Sequence, residues 1–177
     1  WRRLRQNRAA MAGAGIVALF VLLALLAPAL VPFSPTRGDF GDRLQAPSPT
    51  HWLGTDELGR DVLSRIIFGA LISLQIQVVA VLLALVVGVT LGAVGGYLGG
   101  RMDNLIMRAM DVLLAFPSIF LALGIIAALG TGLVNLMIAA GISSIPAFAR
   151  IVRGSVLSLK EREFVEAARA LGAGGGR

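Results

Sequence analysis

Three long stretches without a charged side chain constrain this sequence more than any other feature. They cover residues 9–36, 66–100 and 112–149. A helix that crosses a bilayer needs about 20 predominantly apolar residues, and each of these stretches is longer. The chain of 177 residues is 56% hydrophobic and only 15% charged, which excludes a disordered chain and is unusual for a soluble domain. The sequence therefore predicts an all-α integral membrane protein.

The positions of the basic residues predict how the spans are oriented. Four arginines and no acids precede the first apolar stretch, and the positive-inside rule places that segment in the cytoplasm. A first span at about 12–32 then leaves residues 37–65 outside, and a second at about 74–98 returns the chain to the cytoplasm. The four N-terminal arginines are Arg2, Arg3, Arg5 and Arg8.

The third apolar stretch is too long for one span. Residues 112–149 as a single helix would reach about 57 Å, nearly twice the ~30 Å hydrocarbon core. The segment LGTGLVN, residues 129–135, predicts a turn because it contains Gly130 and Gly132. We therefore expect a third span at about 105–128 and a fourth at about 133–152, with both chain ends in the cytoplasm. Basic residues are enriched after the fourth span: Arg150, Arg153, Lys160, Arg162, Arg169 and Arg177.

Glycine recurs every four residues along the second predicted span. Gly88, Gly92, Gly96 and Gly100 would share one helix face. Helices in lipid associate through close packing, and such a face lets a neighbouring backbone approach. The pattern predicts a tight helix–helix contact.

The segment between the first two spans contains HWLGTDELGRDVLSRIIFG, residues 51–69. Thr55 is a candidate helix N-cap, and the spacing predicts i,i+4 ion pairs between Asp56 and Arg60 and between Asp61 and Arg65. We expect an interfacial helix here that leads into the second span. A calcium site or an acid–base pair is less favoured, because the order of an EF-hand loop is missing and each aspartate has an arginine at helical spacing.

Arg108 and Asp111 lie three residues apart at the start of the third span. Charges in lipid are costly, so the pair is either an interfacial or interhelical ion pair or part of a permeation path. Neutral polar residues within the spans leave the same choice between pore lining and interhelical hydrogen bonds. They are Gln75, Gln77, Asn135, Ser143 and Ser144.

Several kinds of chemistry are disfavoured. The chain has no cysteine and a single histidine, His51, so neither a disulfide framework nor a metal site is predicted. Serine-hydrolase, zinc-protease and phosphate-loop motifs are absent from the sequence. The net charge of +6 is explained by basic cytoplasmic loops rather than by nucleic-acid binding. We predict no catalytic residues and no cofactor.

The last stretch, KEREFVEAARALGAGGGR, is dense in charge. Ser158 and Glu161 form a capping box that predicts a helix from about Leu159, and Gly172 would end it. One face carries Phe164, Ala168 and Leu171, while the adjacent Ala167 and Ala168 present a small surface. From the residues alone, this helix either docks in a groove of a partner or lies on the bilayer.

Three segments together resemble one protein family. EFVEAARALGAG is similar to the E-A-A-x-x-x-G loop of bacterial ABC-importer permeases, matched at Glu166, Ala167, Ala168 and Gly172. LGTDELGRDVLSRIIFGALISL and MDVLLAFPSIFLAL resemble the dipeptide/oligopeptide/nickel branch of that family, in its second permease subunit. In the first of these segments the signature residues are Gly54, Thr55, Asp56, Gly59, Arg60 and Asp61.

The resemblance implies a six-helix permease fold in the cytoplasmic membrane. Residues 1–65 would form an N-terminal region of basic tail, first span and outer loop, and residues 66–177 a permease core. The core would end in a cytoplasmic coupling loop at 158–174, where Phe164, Glu166, Ala167, Ala168 and Gly172 meet an ATPase. The implied partners are a second permease, two ABC ATPases and a solute-binding protein.

Peptides are the implied substrate, with nickel, amino acids, phosphonate or another metal as alternatives, and a membrane scaffold as a more distant one. The chain begins at Trp1 and stops after the coupling loop, so the resemblance implies two further spans beyond it.

Overall fold

The computed structural model describes residues 6–172 and residue 174, with residue 169 described by its backbone only. Among the residues on which the sequence predictions rest, Trp1, Arg2, Arg3, Arg5, Arg177 and the side chain of Arg169 lie outside this part. Within it the fold is helical, and the only β-type pairing is an isolated antiparallel bridge between Thr55 and Asp61.

Six α-helices follow one another along the described chain. They are α1 (Arg8–Leu30), α2 (Val62–Leu98), α3 (Gly100–Leu114), α4 (Ser118–Leu129), α5 (Leu133–Lys160) and α6 (Glu163–Ala170), and a short 3-10 helix covers Phe40–Asp42. Chain contacts divide the protein into two compact units, residues 1–75 and 76–177. Helix α2 contributes residues to both units.

The first unit contains α1, the loop after it and the beginning of α2. The Asn7 side chain accepts hydrogen bonds from the N–H groups of Ala9 and Ala10 and so caps α1. Large apolar side chains cover most of the surface of α1, including Ile16 at 69% exposure and Leu25 at 64%. A surface of this kind suits lipid or another protein rather than water.

The second unit is organised by close contact between α2 and α5. A Cβ atom added to Gly88 would lie 2.7 Å from the Phe148 side chain, and one added to Gly92 would lie 2.3 Å from the Ala149 carbonyl oxygen. Ala84, Met110, Ile145 and Ala149 form the buried core of the unit. Small residues allow the two backbones to approach, and the aliphatic side chains around them fill the remaining space.

The residue numbers in this contact rise together on both helices. Gly141 lies against Leu83, Gly92 against Ala149 and Gly96 against Val156. Helices α2 and α5 are therefore parallel. After α2 ends, the chain must travel back to the level at which α5 begins, and α3 and α4 provide this return.

Three helices could each cross a membrane, and the return between the parallel α2 and α5 favours a fourth pass made of α3 and α4 together. Helices α1, α2 and α5 are long and apolar enough to cross a membrane, and α3 and α4 qualify together as one span bent by 91°. The sequence predicted a single helix at 105–128. The break at residues 115–117 corrects that expectation, because Pro117 lacks a backbone N–H and disfavours helical geometry at the residue before it.

Two predicted helix starts are also wrong. Thr55 does not cap a helix, since α2 begins at Val62 and the N–H of Ser64 donates to the Asp61 carboxylate. Ser158 and Glu161 do not form a capping box, since Ser158 lies inside α5. The chain turns at Glu161 and Arg162, and the terminal helix begins at Glu163.

Candidate coupling site at the end of α5

Lys160 closes the last turn of α5 and reaches the end of α2. Its Nζ donates hydrogen bonds to the carbonyl oxygens of Gly96 at 3.2 Å and Tyr97 at 3.0 Å. The last carbonyls of a helix have no partner within the helix and carry its negative dipole end, so a lysine ammonium stabilises them. Lys160 thus fixes the point from which α6 projects.

Arg153 fixes the same part of α5 to the start of α3. Its Nε and one terminal nitrogen each donate to a different oxygen of Asp103 at 2.6 Å. Asp103 is buried, with 8% of its surface exposed, and it lies in the first turn of α3, where the helix dipole favours a carboxylate. Two parallel hydrogen bonds hold the guanidinium in a single orientation.

The predicted glycine face contributes three of its four members to this region. Gly88, Gly92 and Gly96 are buried against α5. Gly100 does not belong with them, because α2 ends at Leu98 and the chain turns at Gly99 and Gly100, where φ is +67° and +55°. No atom lies within 4 Å of a Cβ added at Gly100, so its role is a turn and not a close packing contact.

Helix α6 presents most of its surface outward. Val165 is partly buried, whereas Phe164, Glu166, Ala167 and Ala168 are exposed. Phe164 has 64% of its surface exposed and Leu171, just after the helix, has 89%. Gly172 has φ +83°, the left-handed conformation with which glycine commonly ends helices.

The predicted signature residues of the other unit build one compact loop. The Asp56 carboxylate accepts hydrogen bonds from the N–H groups of Leu58 and Arg60 and from the guanidinium groups of Arg60 and Arg65. The Asp56–Arg60 pair is thus as predicted, but Arg65 pairs with Asp56 in place of Asp61. The reason is that residues 55–61 form a turn rather than a helix, so i,i+4 spacing does not govern the second pair.

Backbone geometry explains the glycines and the threonine of this loop. Gly54 and Gly59 have φ of +72° and +71°. A Cβ on Gly59 would lie 1.7 Å from the carbonyl oxygen of Asp39. Thr55 accepts a hydrogen bond from the N–H of Gln45 and donates one to the carbonyl of Asp42. These residues therefore hold two stretches of the loop, 39–45 and 54–59, together.

Asp61 is a buried carboxylate of the first unit. Only 3% of its surface is exposed. One carboxylate oxygen lies 3.0 Å from Nδ1 of His51, whose ring is 4.7 Å from that of Phe33, and the other accepts from Ser64 N–H at 2.7 Å. Burial acts to raise the pKa of Asp61, but hydrogen bonds from Ser64 and His51 outweigh it, so the pKa lies below its usual value.

The pKa of Asp56 is also lowered. Its partial burial acts in the opposite direction, but the hydrogen bonds from the backbone of Arg60 and Leu58 and from two guanidinium groups prevail and hold the pKa well below its usual range. Both carboxylates are therefore ionised at neutral pH and engaged with partners inside the loop.

A correction concerns Asp111. The predicted partner was Arg108 on the same helix, but the carboxylate pairs with Arg150 of α5 at 2.6 Å. The two side chains are about half exposed, at 54% and 51%. The packing of α3 on α5 brings together two residues that are 39 positions apart. This tertiary contact takes the place of the predicted pair between Asp111 and Arg108.

Comparison with known proteins identifies the family. Residues 88–177 match the model of the binding-protein-dependent transport system inner membrane component, and residues 1–47 match that of the N-terminal transmembrane domain of oligopeptide transport permease C. The chain belongs to the inner membrane component family of binding-protein-dependent transport systems. The resemblance seen in the sequence is thereby confirmed, as is the prediction of an inner-membrane protein with several spans.

Curated relatives agree with this family. The chain is 46% identical over 177 residues, all of its length, to the dipeptide transport system permease protein DppC of Alkalihalophilus pseudofirmus. It is 45% identical over 174 residues, or 98% of its length, to the glutathione transport system permease protein GsiD of Pectobacterium atrosepticum. The chain spans 58% of the length of each of these two relatives.

In this protein, the sequence did not predict the contacts that hold the candidate coupling site. Asp103 and Arg153 are 50 residues apart, and Lys160 and Gly96 are 64 apart, so no local spacing relates them. The close packing of Gly95 was also not predicted, because Gly95 falls outside the four-residue repeat. A Cβ atom added to Gly95 would lie 3.2 Å from a carboxylate oxygen of Asp103. The sequence feature that points to these contacts is the presence of polar residues near the ends of the apolar stretches.

Proposed function

We propose that this chain is part of a permease subunit that moves small peptides across the inner membrane, with ATP hydrolysis on a partner chain. The observation that carries this proposal is that the whole chain aligns with permeases named for dipeptide and for glutathione transport, and glutathione is itself a small peptide. The sequence of residues 1–177 contains no phosphate-binding G-x-x-x-x-G-K-[ST] loop, and we assign ATP hydrolysis to a partner chain because the family implies ATPase partners.

Helix α6 is the proposed docking element for an ABC ATPase. Four features support this role: the helix is short, its described side chains are mostly exposed, its residues 167 and 168 are small, and it is tethered by two residues to an anchored helix end. Glu166 would make polar contacts, Ala167 and Ala168 would permit close approach, and Gly172 would turn the chain. Phe164, at 64% exposure, would supply apolar contact area.

Anchoring makes α6 suitable for transmitting force. Lys160 and Arg153 fix the base of the helix to the end of α2 and to the start of α3. A movement of the ATPase that displaces α6 would therefore act on the membrane helices directly, without being absorbed by a loose linker. Coupling requires that the partner bind the two states of the permease differently, and rigid attachment allows that difference to be expressed.

The remaining partners follow from the family. A second permease subunit would cover much of the exposed apolar helix surface, and a solute-binding protein would approach the loop that contains Asp56 and Asp61. The N-terminus and α6 would lie in the cytoplasm, which agrees with four passes and with the basic residues near both ends. Residues 1–65 would serve as the N-terminal region and 66–177 as the permease core.

The docking role can be tested in the complete transporter with its partner subunits. Ala167→Trp should abolish co-purification of the ATPase or uncouple ATP hydrolysis from peptide uptake, because the ring fills the space that close approach requires. Ala167→Ser keeps the residue small and serves as the matched control. Normal uptake and normal ATPase recovery with Ala167→Trp would remove α6 from the interface.

The orientation can be tested separately. Residues 1–177 contain no cysteine, so single cysteines at Thr50 and Ser158 are distinct from every native side chain of this segment. In intact cells an impermeant thiol reagent should label Thr50→Cys and leave Ser158→Cys unmodified, and inside-out vesicles should reverse this result. Labelling of both positions from the same side would contradict the four-pass arrangement.

A further inference from the structure

A cavity of about 600 Å³ lies in the first unit, between the end of α1, the start of α2 and the loop that joins them. Pockets that hold small molecules commonly have volumes of about 300–1000 Å³, so this cavity is large enough for a ligand. Its walls are mainly apolar. They include Leu23 and Leu30 of α1, Leu63 and Ile67 of α2, and Phe33 and Trp52 of the loop.

The cavity extends along the part of α1 that crosses the membrane. Leu23 precedes Leu30, the last residue of α1, by about 10 Å along the helix axis at 1.5 Å per residue. Helix α1 has 23 residues, and its length of roughly 35 Å is close to the thickness of the hydrocarbon core. A cavity that reaches Leu23 therefore extends from the surface of the bilayer into its hydrocarbon.

The polar side chains that line the cavity have partners within the chain. One oxygen of Asp61 lies 3.0 Å from Nδ1 of His51, and the other accepts from the N–H of Ser64 at 2.7 Å. The hydroxyl of Thr50, the other polar lining residue, lies 3.0 Å from that of Ser48. What the cavity offers to a ligand is accordingly apolar surface.

Trp52 forms the wall of the cavity on the side of the loop. The residue is 71% exposed, and its indole N–H donates to the carbonyl oxygen of Pro49 at 3.2 Å. Because this donor already has a partner, the ring can contact hydrocarbon without leaving an unpaired polar group. Tryptophan is enriched where a membrane protein meets the surface of the bilayer, and the position of Trp52 fits that preference.

We propose that this cavity binds an acyl chain of a bilayer phospholipid and that the Trp52 ring covers the chain at the membrane surface. Apolar cavities do not hold water, and an unfilled cavity forfeits the contacts that its walls could make. The cavity is continuous with the surfaces of two helices that cross the membrane, so lipid chains are its immediate neighbours. The inference depends on the membrane location of the protein and not on the transported solute.

The test places a photoreactive amino acid, p-benzoylphenylalanine, at position 52 of the complete transporter. The complex is held in nanodiscs of phosphatidylethanolamine and phosphatidylglycerol and is illuminated. Mass spectrometry should find a phospholipid joined to residue 52 through a carbon of its acyl chain. The control has the same amino acid in place of Leu58, which belongs to the same loop, is 45% exposed and lies outside the cavity lining. It should give at least about tenfold less lipid adduct, equivalent to about 1.4 kcal/mol.

A second set of variants tests the cavity itself, with the photoreactive residue kept at position 52. Ile67→Trp should lower the lipid adduct at least about tenfold, because its ring occupies the space of the chain. Ile66→Trp makes the same change at the preceding residue, which is 58% exposed and outside the lining, and should leave the adduct unchanged. Leu63→Phe enlarges the wall by less and should lower the adduct even where Ile67→Trp prevents assembly.

Three results would overturn the inference. The first is attachment of residue 52 to another protein, which is expected if a second permease or a solute-binding protein fills the cavity. The second is an equal yield of lipid adduct at positions 52 and 58, which would show general contact with the bilayer. The third is a lipid adduct at position 52 that Leu63→Phe leaves unchanged, because the chain would then lie outside the cavity.

Discussion

Glycine serves two different purposes in the two units of this protein. In the loop of the first unit, Gly54 and Gly59 have φ near +70°, a conformation that side chains disfavour. In the α2–α5 contact, Gly88, Gly92 and Gly96 have ordinary helical geometry and are needed because another backbone lies where a side chain would be. The same residue type therefore reports a turn in one unit and a close helix approach in the other.

The two units also differ in how their polar groups find partners. In the loop, Asp56 bonds to Leu58, Arg60 and Arg65, all within nine residues. In the helical unit, Asp103 and Arg153 meet across 50 residues. Local networks hold the loop, whereas the helical unit depends on a few long-range ion pairs added to packing. Substitutions should consequently have local effects in the first unit and unit-wide effects in the second.

The largest effect is expected at the helix contact. In Gly92→Leu the new side chain would collide with the backbone of Ala149, since a Cβ alone would lie 2.3 Å from its carbonyl oxygen. Overpacking typically costs about 1–3 kcal/mol, and a collision with backbone should exceed that range. We expect the purified protein in lipid nanodiscs to lose its thermal transition or to aggregate.

The control for this substitution is Gly69→Ala, also in α2. No atom lies within 4 Å of a Cβ added there. Alanine should raise the unfolding midpoint slightly, because glycine inside a helix is about 0.5–1 kcal/mol less favourable than alanine. Equal stability of the Gly92→Leu and Gly69→Ala proteins would show that the close approach of α2 and α5 is not required.

The next effect should be confined to the loop. Gly59→Ala requires the left-handed conformation, at about 1–2 kcal/mol, and also displaces Asp39, whose carbonyl oxygen would be in collision with the new methyl group. Limited proteolysis should cut residues 38–61 much faster, while the thermal transition of the helices changes little. Gly41→Ala, where φ is not positive, should leave the cleavage rate near that of the native chain.

A smaller loss of stability is expected when the buried ion pair between Asp103 and Arg153 is broken. Arg153→Gln leaves the Asp103 carboxylate, 8% exposed, without its two charged hydrogen bonds. Hydrogen bonds to charged groups contribute about 1.5–3 kcal/mol, so the unfolding midpoint in nanodiscs should fall measurably. Adding Asp103→Asn to the variant should recover part of the loss, and if it instead lowers stability by its full separate amount, the two residues act independently.

The sequence predicted much of this architecture because hydropathy and the distribution of arginines are properties of long segments, which single contacts do not change. The four spans, the turn near Gly130 and the short charged helix at the end of the chain correspond to helices α1 to α6. Gly88, Gly92 and Gly96 could be grouped because a single helix carries them at a regular interval. Composition and periodicity suffice where a property is repeated many times.

Single residues that decide local structure were harder to predict. Pro117 breaks a stretch whose composition favours one span, and Asp61 caps α2 although Thr55 has the more typical setting for a cap. Asp111 has Arg108 nearby in sequence but pairs with Arg150, because tertiary packing sets the distance. Such choices depend on contacts that form only after the helices have assembled.

The smallest effect concerns pH and again separates the two units. Because the pKa of Asp61 is lowered in the folded protein, its contribution to stability is complete above its unfolded value of 3.8 and is lost as pH falls through the lower folded value. Trp52, whose indole N–H donates to the Pro49 carbonyl, reports on this loop. In a chain with Trp1→Phe, its fluorescence should change below about pH 4, while helix content holds.

Asp61→Asn provides the control for the acid transition. Asparagine also caps helices, so α2 should still begin at Val62, but the carboxyl that titrates is gone. The fluorescence change below about pH 4 should shrink, with any remainder arising from Asp56, whose pKa is lowered as well. If instead the helices unfold together with the loop in acid, the local network and the helix packing are not separable, and the contrast between the two units fails.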